Sequence, residues 1–114
     1  MSLKNKMTPR LNWRKWEYTA GADRKEIHLA LFELRYANNK TLFSVEFRID
    51  VYYSGARPHR DPDISVYYVL GADEDRNDYQ LFALNTISSV DTAKSLCEQE
   101  LQKMLLQLHQ GSKT

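Results

Sequence analysis

Residues 43–53 read FSVEFRIDVYY. Phe43, Val45, Phe47, Ile49, Val51 and Tyr53 fall on one side of an extended chain, and Ser44, Glu46, Arg48, Asp50 and Tyr52 on the other. Apolar residues at a strict spacing of two describe a long strand with one buried and one wet face. A strand of that kind needs a partner, and the search for one organises the rest of the chain.

Upstream, Asn38-Asn39-Lys40 is a tight-turn signal, because asparagine tolerates left-handed backbone. Before the turn, Ile27, Leu29 and Leu31 alternate with Glu26, His28 and Ala30, and the phase then flips to Phe32, Leu34 and Tyr36. A bulged strand accommodates the flip, and so does a helix carrying Ile27, Leu31 and Leu34 on one face. The adjoining turn and the long strand beyond it favour the strand. Further back, Ala20-Gly21-Ala22-Asp23 reads as a turn. Leu11, Trp13, Trp16 and Tyr18 read as a short strand whose phase slips between the two tryptophans, a bulge signal. Residues 1–10 are polar and basic and read as a flexible arm.

Downstream, Ser54 to Asp63 (SGARPHRDPD) carries two prolines, a glycine and four charges, and reads as a loop. Ile64 to Leu70 and Tyr79 to Leu84 are strand-like and flank the acidic turn Gly71 to Asp78. Both are apolar on both faces, with Tyr67, Val69, Phe82 and Leu84 opposing Ile64, Val66, Tyr68, Leu81 and Ala83. Such a pattern predicts that something covers the second face. The last element is a helix, with Val90, Ala93, Cys97, Leu101, Met104, Leu105 and Leu108 at three- and four-residue steps. Ser88-x-x-Asp91 resembles a capping box, and Gly111 sits where a C′ residue belongs. The expected fold is α+β: an antiparallel meander of about five strands packed by one C-terminal amphipathic helix. Residues 11–110 form the domain, and 111–114 are a tail.

The 114 residues allow one core, and 42% apolar with 27% charged residues is ordinary for a folded domain. A formal charge of +1 gives no whole-molecule attraction to nucleic acid or acidic membrane. Cys97 is the single cysteine, so no internal disulfide forms, which fits a reducing, cytoplasmic setting. The opening MSLKNKMTPR lacks the apolar core of a signal peptide, and no apolar run approaches the roughly 18 residues of a membrane span. The expectation is a soluble protein with no membrane partner.

Chemistry-bearing clusters are sparse. His59, Asp61 and Asp63 are weak candidates for a divalent metal or a base–acid pair, but they lie in one proline-containing turn and match no ligand cage, so a solvated loop is the expectation. Asp73, Glu74, Asp75 and Asp78 lack the glycine and closing glutamate of a calcium loop. Lys4, Lys6, Arg10, Arg14 and Lys15 precede the first acidic residue, with Trp13 and Trp16 close by. Cations interleaved with aromatics suit single-stranded nucleic acid, although tryptophans beginning a β-domain usually join its core. Seven tyrosines are many for this length, and Tyr52, Tyr67, Val69 and Phe82 are the candidate partner-binding set on the outer face. Cys97 lies on the apolar helix stripe as a small hydrophobe, His28 in a strand, and His109 at a helix end, where a cation suits the dipole.

The outline Leu11-Asn12-Trp13, then a meander, then Ser88-Ser89-Val90-Asp91-Thr92-Ala93-Lys94 resembles that of short proteins of phages, prophages and other mobile elements. The resemblance spans about fifteen residues and carries no catalytic residues. It implies an accessory role, binding and modulating a host macromolecule. The expected function is therefore a non-enzymatic binding module without a cofactor, acting as a homodimer or with a protein partner. A nucleic-acid-binding accessory protein and, last, a small metal-dependent hydrolase or nuclease are the alternatives.

Overall fold

The computed structural model describes residues 10–35, 37–38, 40–57, 59–71, 80–81, 87 and 89–111. Its elements are β1 (Arg14–Ala20), β2 (Asp23–Arg35), β3 (Thr41–Tyr53), β4 (Asp63–Leu70), β5 (Gln80–Leu81) and helix α1 (Val90–Gly111). The strands form one antiparallel sheet in chain order, β1-β2-β3-β4-β5, so the fold is an α+β meander with a C-terminal helix. Four strands are of full length. The fifth, expected over Tyr79 to Leu84, is described only at Gln80–Leu81, which pair with Tyr68 and Tyr67.

The alternating stretch is the centre of the molecule. Val45, Phe47, Ile49 and Val51 on β3 are fully buried, and α1 lays Ala93, Cys97 and Leu101 over them together with Val66 of β4. Each large side chain so buried contributes roughly 1.5–3 kcal/mol before the entropy of ordering it. This helix-covered side is the inner face. The register places Glu26, His28, Ala30, Phe32 and Leu34 of β2 on it, opposite Val51, Ile49, Phe47, Val45 and Phe43.

The phase flip in β2 is not a bulge. Pairing runs unbroken from Arg24↔Tyr53 to Leu34↔Phe43 and shifts only between Leu34 and Arg35. The strand keeps its course while its apolar residues change sides: Ile27, Leu29 and Leu31 face outward, and Phe32 and Leu34 face inward. The slip in the first segment likewise marks a boundary. β1 starts at Arg14 and pairs in register to Ala20, while Leu11 and Trp13 precede it and pack on the core. The Leu11 amide donates to Glu98 Oε2 at 3.0 Å, and Lys94 Nζ stands 5.7 Å from the Trp13 ring centroid.

The helix cap lies one residue later than the sequence suggests. Ser89 Oγ accepts from the Thr92 amide at 3.1 Å and lies 2.9 Å from the Thr92 hydroxyl, so Ser89 is the N-cap. The helical assignment runs through Gly111 rather than stopping before it. Among the described residues, no helix is long and apolar enough to cross a membrane.

Candidate interaction surface

The helix covers β3 and β4, and the sheet continues past it to β1. All seven residues of β1 are exposed. On its outer side Arg14, Trp16 and Tyr18 stand opposite Leu29, Ile27 and Lys25 of β2. Trp16 is 41% exposed, Tyr18 53% and Leu31 46%. An open depression of about 320 Å³ lies here, its walls including Asn12, Arg14, Trp16, Leu29, Leu31 and Glu46. Large apolar side chains thus stand in a row at a sheet margin, with cations and a carboxylate around them.

The inner side of the same margin is ionic. Glu26 is buried at 6% exposure, with its Oε1 3.2 Å from His28 Nε2 and its Oε2 3.6 Å from Arg24 Nη2 and 4.0 Å from Lys15 Nζ. Glu17 sits directly across the ladder from Glu26, an unfavourable like-charge pair. Lys15 offsets it, 2.8 Å from Glu17. That hydrogen bond, then the lysine charge, holds the Glu17 carboxyl below its ordinary range, and the bond to Glu17 raises Lys15 in turn. The Glu26–His28 pair could orient an imidazole for base chemistry. His28 is only 4% exposed and its Nδ1 is buried without a protein partner, so the ring is shut off from solvent.

The turn between β1 and β2 is clasped to the loop after β3. Asp23 Oδ1 accepts from the Gly55 amide at 2.8 Å, and its Oδ2 accepts from the Tyr52 hydroxyl at 2.7 Å. These bonds, the Gly55 amide first, lower the Asp23 carboxyl, while the carboxylate raises the Tyr52 phenol. Gly21 makes the turn with φ of +62°, and Arg24 lies 4.1 Å over the Tyr53 ring. A side chain at Gly55 would run into the backbone of Ala22.

The residues singled out from sequence are dispersed. Tyr52 is exposed but its hydroxyl is engaged by Asp23; Tyr67 is half-buried on the outer face; Val69 is buried at 7% exposure; Phe82 lies outside the described residues. Of the basic arm, Lys4 and Lys6 lie outside the described residues, while Arg10 and Arg14 are exposed. Lys15 is paired with Glu17, and Trp13 is half-buried beside Lys94 with its Nε1 enclosed, so only Trp16 of the two tryptophans offers an open ring. His59, Asp61 and Asp63 are all exposed, and Arg60 reaches Asp63 at 3.4 Å. Among the described residues, no three His, Cys, Asp or Glu side chains converge as a metal site would need. The acidic cluster Asp73, Glu74, Asp75 and Asp78 lies outside the described residues. Cys97 is fully buried, and desolvation pushes its thiol up to about 12, which leaves it inert near neutrality.

Tyr18, Ile27, Leu29 and Leu31 as the companions of Trp16, and the Glu26–His28 pair behind them, were not picked out from sequence. The signal was present in both cases. Ile27, Leu29 and Leu31 sit two apart, and so do Glu26 and His28, which by the strand period share a face. Comparison with protein-family models, curated proteins and solved structures finds no match to this chain.

Proposed function

We propose that the chain is a non-enzymatic binding module that docks a macromolecular partner on the outer margin of its sheet. The observation carrying this is the exposed row of Trp16 and Tyr18 on β1 beside Leu29 and Leu31 on β2, in a protein whose helix lies over other strands. Tryptophan and tyrosine supply large contact area at low entropy cost, the usual make-up of an energetic anchor. Among the described residues, the one buried carboxylate–imidazole pair is sealed from solvent, which favours recognition over catalysis. The resemblance to short mobile-element proteins fits an accessory role in which a host macromolecule is bound and modulated.

The test compares wild type with Trp16→Ser/Tyr18→Ser as tagged bait in lysate of the native host, with captured protein and nucleic acid scored together. The expected result is a protein partner held by wild type and lost from the double variant, with an unchanged far-ultraviolet circular dichroism spectrum. Identical capture by both baits refutes the reading. Capture of nucleic acid alone, falling steeply with salt, transfers the role to the basic residues Arg10 and Arg14.

A further inference from the structure

β1 is the outermost strand, and among the described residues nothing runs along its far side. In an antiparallel ladder alternate residues turn their N–H and C=O groups away from the neighbour they pair with. At about 3.3 Å per residue, β1 therefore offers an unpaired hydrogen-bonding edge of roughly 23 Å. Such an edge accepts another strand unless its side chains prevent it. The helix is no obstacle, because its core contacts lie with β3 and β4.

The order of residues in β1 selects which strand fits. Arg14-Lys15-Trp16-Glu17-Tyr18 is complementary to itself when reversed about Trp16. With two copies antiparallel about a two-fold axis at Trp16, Lys15 meets the partner's Glu17 on the inner side, and Glu17 meets the partner's Lys15. On the outer side Arg14 lies against the partner's Tyr18, a cation beside a ring, and the two Trp16 rings meet on the axis. Opposite charges and aromatic pairs directly across a ladder are the favourable cross-strand combinations. Lys15 and Glu17 already pair within one chain at 2.8 Å, so assembly converts two ion pairs into a ring of four alternating charges and strips neither residue of its partner. Neighbouring registers lose this. An axis at Glu17 sets glutamate against glutamate, and one at Lys15 sets lysine against lysine, both destabilising. Charges on an edge strand ordinarily repel a second strand; here they repel the adjacent self-registers and favour one.

We infer that the open edge of β1 is completed by β1 of a second copy of this chain, antiparallel about Trp16, so that two meanders join into one continuous sheet. This rests on the reading of the β1 margin as a recognition surface and assigns its hydrogen-bonding edge to a second copy, leaving the outer face to the captured partner. The one-strand contact is small, so the dimer is a weak, reversible one, and its ion pairs weaken it further in high salt.

Sedimentation equilibrium of the full chain tests this with wild type, Lys15→Glu, Glu17→Lys and an equimolar mixture of the two variants. Wild type is expected to show the mass of two chains. Each variant alone places four like charges around the axis, weakening association roughly ten-fold or more. In the mixture an acidic edge meets a basic edge, and the two-chain mass returns. Wild type that remains monomeric up to about 1 mM overturns the inference. Single variants that associate like wild type, or a mixture of folded chains that stays monomeric, overturn it too. Should either reversal unfold by circular dichroism, Trp16→Arg replaces it; two cations on the axis must then give a monomer, and a persisting dimer refutes the register. A monomeric wild type that still loses its captured partner on Trp16→Ser/Tyr18→Ser refutes self-pairing alone. A wild-type dimer whose capture ignores that substitution refutes the docking function alone.

Discussion

Beneath the helix, β3 and β4 present Val45, Phe47, Ile49, Val51 and Val66 to Ala93, Cys97 and Leu101, and none of these side chains touches water. Along β1 and the first half of β2, the same inner side carries Lys15, Glu17, Glu26 and His28, and the apolar residues have moved to the outer side. One sheet thus has two halves of opposite polarity. A single helix about 10 Å wide covers roughly two strands, here β3 and β4, and beside it the inner face of β1 and β2 is satisfied by ion pairs. The outer face at the same margin holds large apolar side chains that stay exposed.

Substitutions in the two halves should differ accordingly. Phe47→Ala empties the middle of the covered half and should cost roughly 3–5 kcal/mol, read from the urea midpoint. Gly55→Ala forces the loop off the turn at Ala22 and should cost about 1–3 kcal/mol through strain. In the uncovered half, Glu26→Ala leaves His28 and Arg24 without their carboxylate and should cost about 1–3 kcal/mol, with Glu26→Gln losing less because it keeps an acceptor for His28. If Glu26→Ala matched Phe47→Ala, the two halves would not be energetically distinct.

Acid should act on the uncovered half first. Glu17 and Asp23 both titrate below their ordinary values of 4.5 and 3.8 when folded. Their contribution is fully present above those values and is lost as pH falls through the lower folded ones. Urea midpoints should therefore decline below about pH 4.5, and Glu17→Gln with Asp23→Asn should flatten that decline. The smallest effect is expected from Trp16→Ser, within about 0.5 kcal/mol, because the ring makes its contacts at an exposed edge. A large loss of stability there would make Trp16 a core residue and remove the contrast.

The covered half was legible in the sequence because each of its elements has one clean periodicity: two for residues 43–53, and three to four for Ala93, Cys97 and Leu101. The uncovered half was not. Period alone says that Ile27, Leu29 and Leu31 share a side, but not which side the helix takes, so the change of face at Phe32 looked like a bulge. The apolar second face expected on the later strands holds Tyr67, half-buried, and Val69, buried, with Phe82 outside the described residues, and the exposed outer patch around Trp16 lies at the opposite edge of the sheet. Strand order decides that, and strand order comes from pairing across the whole chain. Leu11 and Trp13 read as strand residues because both are apolar and two apart; their partners, Glu98 and Lys94, lie more than eighty positions away.

Asp23 spends both carboxylate oxygens on residues 29 and 32 positions along, in a different hairpin. A slip of β2 against β3 by two residues would preserve every inward and outward side chain, yet carry Asp23 about 7 Å from Tyr52 and Gly55. Hydrophobic patterning is blind to that error, whereas the carboxylate is not. The clasp proof-reads the alignment of β2 on β3, and with it the place of β1, whose register is built on β2.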